Sequence, residues 1–444
     1  MKALLVLFYW LSPLVPVAVT VAAYPARYAS IQDAVPMVLG ALAYTWLMAQ
    51  LVLSARIPFI ERRFGLDRLM RLHALTPVLV IVLALVHKFM MEAVFRKSLK
   101  TQLGSAGLVL LITVSALAML FLGGMGGRFI PPVAKLRKAL AGTKGFDYGF
   151  QRLIHMISPL GALILFIHVM LSASATYSVP VRLVYILYFV TAFGAWLWHK
   201  LIRPAQRRRC AHTVREVRKE NGDIWTLRLT PPEGSRFRHR EGQFGFIKFL
   251  TGTVSREPHP FSFSDMQDEH GTLTMTIKSL GDYTRTIRNA KPGDKVAVDG
   301  PYGRFTPSLY GHRKLVLLAG GIGITPMMSI LSQLRNTDPT RHVLLVWGIN
   351  REEDMIRRDF FTDLQAHMPN LHFVPVAFRD PAYNGETGAI DRERLERLTR
   401  THGFDDGDTG YWLCGPAPMM HMARQALKGM GYPPERIYDE MFSL

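Results

Sequence analysis

The sequence predicts a multidomain membrane protein: an all-α bundle of six transmembrane helices, then an antiparallel β-barrel, then an α/β domain on a parallel sheet. Three observations carry this. Apolar runs at roughly 3–23, 33–54, 73–93, 105–125, 153–173 and 181–199 are each long enough to cross a bilayer. Near residue 209 the texture changes to short alternating runs separated by Gly, Pro and Asp. From Lys314 the order becomes strand, glycine loop, helix, strand. The 444 residues divide accordingly at 1–209, 210–310 and 311–444.

The first run follows Lys2 as a signal peptide would, but it is long, carries Pro13 and Pro16, and lacks a small-residue cleavage site, so it reads as an uncleaved helix. Charge sets the orientation. Residues 1–209 hold 23 Lys and Arg against 5 Asp and Glu, whereas 210–444 hold 30 against 29, which together make the net +19. Of the 23, 17 fall on the N-terminal side of six spans and 6 on the other: Arg27, Lys88, Arg96, Lys97, Lys100 and Arg182. Both termini are therefore expected in the cytoplasm, with the chain in an inner or plasma membrane and lipid as its first partner. The basic surplus sits in short loops beside the spans, which excludes nucleic acid as its purpose. Cys210 and Cys414, the two cysteines, build neither an iron–sulfur nor a zinc framework.

Four histidines lie inside the apolar half, His73 with His87 and His155 with His168. A histidine in a lipid-spanning helix is costly unless it faces the bundle interior with a partner, and four at matched spacing read as axial ligands of two haems stacked across the membrane. The first pair, 14 apart, rises roughly 21 Å and returns to within about 40° of phase. The second, 13 apart, is roughly 140° out of phase on a straight helix; Pro159 and Gly161 between them supply a kink to absorb the error. Arg71, Arg152 and Lys88 are near enough to pair haem propionates, although boundary cations need no such role.

In the soluble half, Ile224–Leu229, Phe244–Phe249, Leu273–Lys278 and Val296–Val298 read as barrel strands. On a further strand of the barrel Arg256, His259, Pro260, Phe261 and Ser262 join a cation, an aromatic wall and a small hydroxyl, the set a flavin requires. Lys278, Gly281 and Thr284 mark a strand passing through a glycine turn into a helix, where backbone amides suit a diphosphate. Gly320, Gly321, Gly323, Thr325 and Pro326 form a phosphate-approach loop after strand Leu315–Leu318, with proline where a dinucleotide fingerprint has its third glycine. Arg351, after the next strand, suits the 2′-phosphate of NADPH, while Glu352, Glu353 and Asp354 beside it oppose this; NADPH is favoured, NADH possible. A further buried strand ends in Cys414, Gly415 and Pro416.

Taken together, residues 210–444 resemble the ferredoxin–NADP reductase superfamily, and the whole chain resembles the ferric reductase and NADPH oxidase family, a six-helix dihaem membrane domain fused to such a reductase. The resemblance implies haem ligation by His73, His87, His155 and His168, and a His-Pro-Phe-Ser flavin motif at His259, Pro260, Phe261 and Ser262. It implies nicotinamide contacts at Gly320, Gly321, Gly323, Thr325 and Pro326, with Cys414 and Gly415 near the reacting carbon. Phe442 is the candidate C-terminal aromatic covering the flavin. Cys414, Phe442 and Ser262 are thus the expected catalytic residues, and FAD, two b-type haems and NADPH the cofactors. The implied activity is transmembrane electron transfer from cytoplasmic NAD(P)H through FAD and both haems to a small-molecule or ion acceptor outside, O2 giving superoxide or ferric iron. The alternative is a membrane electron-donor module serving a partner protein or quinone, although nothing in the sequence points to a protein partner.

Overall fold

The computed structural model describes residues 7, 9–23, 31–92, 98–121 and 148–440, without the side chains of 31–33, 67, 121, 148–150 and 152. It falls into two compact units, Met1–Pro204 and Ala205–Leu444.

The first unit is helical: α1 Leu14–Ala22, α2 Ile31–Ser54, α3 Leu66–Glu92, α4 Leu99–Phe121, α5 Tyr148–His155, α6 Ser158–Met170 and α7 Val179–Leu197. Among the described residues five helices are long and apolar enough to cross a membrane, within 34–54, 68–92, 99–120, 153–170 and 179–209. The sixth expected span is represented by the shorter apolar helix Tyr9–Ala22, broken by a turn at Ser12 and Pro13; residues 1–6 and 8 lie outside the described residues. On α3 one stripe, Leu75, Val78, Leu79, Val82, Val86 and Phe89, is exposed, while Thr76 and Val80 on the opposite face are buried. The helix is thus apolar outward as well as inward, which water does not favour. Glycines bring α4 and α6 close. A Cβ on Gly107 would lie 2.8 Å from Leu165, and one on Gly161 would lie 2.9 Å from Leu111.

The expected kink between His155 and His168 is a break. Helix α5 ends at His155; the amides of Met156 and Ile157 tighten onto the carbonyls of Leu153 and Ile154, and α6 restarts with Pro159 in its first turn, where its missing N–H costs nothing. The phase of a straight helix therefore does not run across the two turn residues, and His155 and His168 each face a histidine of α3.

The second unit holds two six-stranded sheets. The first is built from β1 His212–Asn221, β2 Ile224–Thr230, β3 Phe244–Phe249, β4 His259–Ser262, β5 Leu273–Lys278 and β6 Lys295–Tyr302, in the antiparallel order β4-β3-β6-β1-β2-β5. Its two edges meet where the Ser264 amide donates to Thr274 O at 2.9 Å, closing the sheet toward a barrel around Leu227, Ile247, Phe249, Phe263 and Met275. The second sheet, all parallel, contains β7 Lys314–Gly320, β8 His342–Ile349, β9 Leu371–Ala377, β10 Glu386–Thr387, β11 Thr409–Cys414 and β12 Ile437–Glu440, in the order β10-β9-β8-β7-β11-β12. Alternate residues of β7 enter opposite cores, Leu315 and Leu317 on one face and Val316 and Leu318 on the other, so a continuous apolar run covers both sides. Strand order reverses between β7 and β11, whose carboxyl ends therefore flank the crevice where such sheets bind ligands.

Two hydrogen bonds tie the sheets together through α8, Ile324–Thr337: the Gly242 amide donates to Ser329 Oγ at 2.8 Å, and Ser332 Oγ donates to Asp265 at 2.6 Å. Gly242 has φ +69°, and a Cβ there would stand 1.9 Å from Phe305 O, so neither conformation nor space admits a side chain. Gly242→Ala should cost about 3 kcal/mol, lowering the thermal midpoint of the purified full-length protein followed by circular dichroism; an unchanged midpoint would show that this seam is not under the constraint described.

Candidate functional site

The flavin-motif residues lie on β4, an edge strand paired only with β3 in the register Phe244↔Ser262, Gly245↔Phe261, Phe246↔Pro260 and Ile247↔His259. An edge strand presents backbone groups that a ligand can meet. Ser262 is buried, yet its Oγ has no hydrogen-bond partner among the described residues. A buried unsatisfied hydroxyl costs about 1–3 kcal/mol, so the position fits a ring nitrogen brought by a bound group. The His259 ring stacks on Tyr283 at 3.7 Å, and Phe261 lies 6.2 Å from the same ring. Tyr283 Oη is another buried orphan, and burial holds its phenol well above the usual range. Strand β4 and the short helix Asp282–Thr286 thus build one aromatic wall with two unmet hydroxyls.

The glycine turn is organised differently from the expectation. The amides of Leu280 and Gly281 both donate to Thr284 Oγ1, at 2.8 and 2.9 Å, so Thr284 holds the turn and those two amides are engaged. Gly281 itself opens onto free space, and Lys278 stands half-buried at the end of β5.

At the switch point the predicted loop and the Cys-Gly-Pro strand end meet. A Cβ on Gly323 would lie 2.1 Å from Cys414 O, and one on Gly320 would lie 2.6 Å from Met419 Sδ. One on Gly415 would lie 2.9 Å from Gly320 N. Gly321 has φ +51° with open space beyond it, and Trp347 Nε1 fixes its carbonyl at 2.9 Å. Thr325 Oγ1 donates to Ile322 O at 3.0 Å, while Pro326 occupies the first turn of α8, where no amide is needed. Cys414 is fully buried, and that burial pushes its thiol well up, so it packs as a neutral group beneath the loop. Phe442 lies outside the described residues.

Arg351 sits beyond β8 on the rim of an open groove with Glu352, Glu353, Arg358 and Asp380. Its guanidinium lies 3.4 Å from Glu353, Arg358 lies 3.0 Å from Glu352, and the Glu352 amide donates to Asp380 at 3.1 Å. Two cations here face three carboxylates.

In the helical unit the four histidines form two facing pairs. The rings of His73 and His155 stand 6.0 Å apart at 82°, and those of His87 and His168 stand 6.3 Å apart at 80°. A metal–imidazole bond of about 2.0–2.1 Å, plus roughly 1.2 Å from nitrogen to ring centre, separates two trans rings by about 6.4 Å. Both pairs therefore fit one six-coordinate iron with a macrocycle between the rings. His87 Nδ1 donates to Pro36 O at 2.7 Å and His168 Nδ1 to Lys100 O at 2.6 Å, which turns Nε2 of each toward the gap. Of the candidate propionate partners, Lys88 is paired with Glu92, Arg71 is exposed, and the side chain of Arg152 lies outside the described residues.

Sequence reasoning missed Tyr283, Trp347, Gly40 and Gly104. The first two lie in segments that were singled out for other residues, Tyr283 between Gly281 and Thr284 and Trp347 in the strand after the glycine loop. The glycines carried a readable signal in their positions, four residues after Pro36 and Lys100, but only the fold sets those carbonyls beside a histidine.

Residues 210–306 match the FAD-binding domain family, and residues 317–425 match the oxidoreductase NAD-binding domain family. The chain is 27% identical over 235 residues to the reductase component of propane 2-monooxygenase from Rhodococcus jostii, covering 52% of this chain and 62% of that one. It is 29% identical over 244 residues to the flavohemoprotein of Bordetella pertussis, covering 51% and 59%. A cytochrome P450 reductase of Amycolatopsis superposes with a TM-score of 0.46 at 24% identity, over 52% of this chain and 69% of that one. The chain thus spans roughly three fifths of the length of the first two relatives.

The charge of the rim generates a prediction. Replacing Glu352 and Glu353 by Gln should raise the NADPH-to-NADH ratio of kcat/KM about tenfold, or about 1.4 kcal/mol, in steady-state titrations of the purified protein. A ratio unchanged from the parent would place the 2′ position elsewhere.

Proposed function

We propose that this NAD(P)H-dependent oxidoreductase, whose soluble half is an FAD- and NAD-binding ferredoxin-reductase-like module, sends its electrons through two b-type haems across a membrane to an acceptor on the far face. The observation that carries the reading is the two histidine pairs, each at the spacing of a trans bis-imidazole iron site. The membrane itself is supported by the surface: 30 of the 34 exposed large hydrophobics among the described residues lie between Leu7 and Ile202. Charge supports both termini in the cytoplasm, so His73 and His155 are the inner pair and His87 and His168 the outer.

When bound, FAD takes a hydride as an electron pair and releases single electrons, which haem iron accepts one at a time. The chain's own residues orient and exclude. Gly320, Gly321 and Gly323 let a dinucleotide approach the backbone beside Cys414 and Gly415. Ser262 Oγ is free to hydrogen-bond the flavin ring, and the wall of His259, Phe261 and Tyr283 shields one side from water. The carboxylates of Glu352 and Glu353 support NADH over NADPH as donor, because a 2′-phosphate adds negative charge to a rim already net negative. If haem is bound, His73 with His155 and His87 with His168 would hold each iron, and with both ligand positions filled by imidazole the group would supply outer-sphere electron transfer rather than substrate binding. Oxygen and ferric iron both suit such outer-sphere transfer.

A second reading is favoured by one comparison. A relative that is the reductase component of a monooxygenase supports delivery to a partner protein, and a quinone in the bilayer belongs to the same class.

Haem content and direction separate the readings. His87→Ala or His168→Ala should halve the pyridine haemochrome of purified protein from two haems to one; two haems retained in either variant would refute the ligand assignment. In inside-out vesicles, NADH or NADPH in the bath should reduce cytochrome c trapped in the lumen, and His87→Ala should abolish this while FAD remains reducible. A trapped acceptor that stays oxidised while bilayer quinone or an added protein is reduced would establish the donor-module reading.

A further inference from the structure

Among the described residues after Pro204 one aromatic side chain is exposed, Phe378 at 55%; every other Phe, Tyr and Trp there is buried or half-buried. Single exposed apolar side chains are ordinary on a protein surface, so exposure alone assigns this ring no task. Its place does. Phe378 directly follows β9, and its amide donates to Ile349 O at 2.8 Å, while the amide of Arg379 donates to Asn350 O at 2.8 Å. The chain leaving β9 is thereby pinned to the chain leaving β8, immediately before Arg351 and the acidic rim. The Arg379 guanidinium stands over the Phe378 ring, 5.8 Å from its centre. A cation on one face of an aromatic ring holds the ring in place and leaves the other face available.

The sheet register sets a direction. Gly320 of β7 pairs with Gly348 of β8, and Gly348 with Val376 of β9. The glycine loop, the Arg351 rim and Phe378 therefore follow one another along the carboxyl edge of the sheet, one strand spacing of about 4.8 Å at a time. A dinucleotide with its diphosphate on the glycine loop sends one nucleoside to each side of the switch point. The nicotinamide side is that of Cys414 and Gly415, at the end of β11. The other nucleoside runs over the end of β8, with its ribose at the rim, and brings its base to the end of β9. A purine there meets an open ring face, and stacking on an aromatic side chain is a contact every base can make.

Resting on the dinucleotide reading of this crevice, we propose that Phe378, held from behind by Arg379, is the platform on which the adenine of the electron donor stacks. The adenine is common to NADH and NADPH, so the platform acts alike on both. Phe378 thus supplies affinity for a dinucleotide as such, while the carboxylates of Glu352 and Glu353 at the rim discriminate at the 2′ position.

The test uses purified full-length protein and takes two readouts. The first is the Kd of ADP-ribose, the donor without its nicotinamide, by titration calorimetry. The second is kcat/KM with ferricyanide as acceptor, for NADH, for NADPH and for reduced nicotinamide mononucleotide, which lacks the adenylate half. Phe378→Leu keeps an apolar side chain and removes the ring face. It should raise the Kd of ADP-ribose about tenfold and lower kcat/KM for NADH and NADPH by the same factor, leaving their ratio and the rate with the mononucleotide in place. Phe378→Tyr should restore the parental values. Parental ADP-ribose affinity in Phe378→Leu would overturn the inference, as would equal losses with NADH and the mononucleotide, or a loss in Phe378→Tyr as large as that in Phe378→Leu. A parent that binds neither ADP-ribose nor NADH would instead overturn the dinucleotide reading of the crevice, and the inference with it.

Discussion

An imidazole among apolar helices must find partners for two ring nitrogens, and much of the helical unit is arranged around that demand. Each histidine faces another across a gap of metal-site width, and in the outer pair each Nδ1 is met by a backbone carbonyl. The break at Met156 and Ile157 exists in the same service, because without it His155 and His168 could not both face α3. Once the inward stripe of α3 is given to histidine, threonine and small contacts, its outward stripe is free to be apolar, and it is. The exposed leucines and valines of this unit are the complement of the half-buried histidines.

In the reductase unit the corresponding constraint is backbone proximity. Gly320, Gly323 and Gly415 bring two strand ends within van der Waals contact at the switch point, where α8 begins. Proline in place of a third glycine costs nothing, since its position in the first turn needs no amide. Ser329 and Ser332 of the same helix carry that geometry to the barrel through Gly242 and Asp265, and Asn221 of β1 adds a second link by donating to Glu353 O at 3.0 Å.

Periodicity and punctuation made most of the fold legible. Phe244–Phe249 and Leu273–Lys278 were readable to the residue because alternation ends in sharp turns; β1 and β9 were not, since charged residues such as Arg215, Lys219 and His372 interrupt their patterns. Long apolar helices were readable from composition, but the shorter first helix was not, because a turn at Ser12 and Pro13 is invisible to a hydropathy window. The histidine pairs were legible as a spacing, whereas their mutual facing depended on a helix break whose angle no local rule supplies. The turn at Gly281 was read for backbone amides suited to a diphosphate, whereas no local rule shows that the amides of Leu280 and Gly281 are engaged by Thr284 Oγ1. Arg351 was weighed against Glu352, Glu353 and Asp354 beside it, and the fold adds Asp380, which no local reading places around the same groove.

The relatives and the helical unit together bear on why these parts share one chain. The reductase half of this protein matches proteins of different overall build, among them a reductase component and a flavohemoprotein. Such a module needs an acceptor within electron-transfer reach, supplied either by docking or by tethering. Among the described residues after Pro204, Leu280, Leu309, Phe378 and Met422 are the large hydrophobics that are exposed, so a docking partner would meet a mainly polar surface, as transient redox encounters do. Tethering needs no such surface, because covalent linkage holds the acceptor at millimolar effective concentration or above. In the proposed reading the tethered acceptor is the inner histidine pair, reached through the continuous helical run that ends at Arg209. In that reading the apolar surface of the helical unit is what lipid would cover, while the mainly polar surface of the reductase still suits the transient docking of a partner protein.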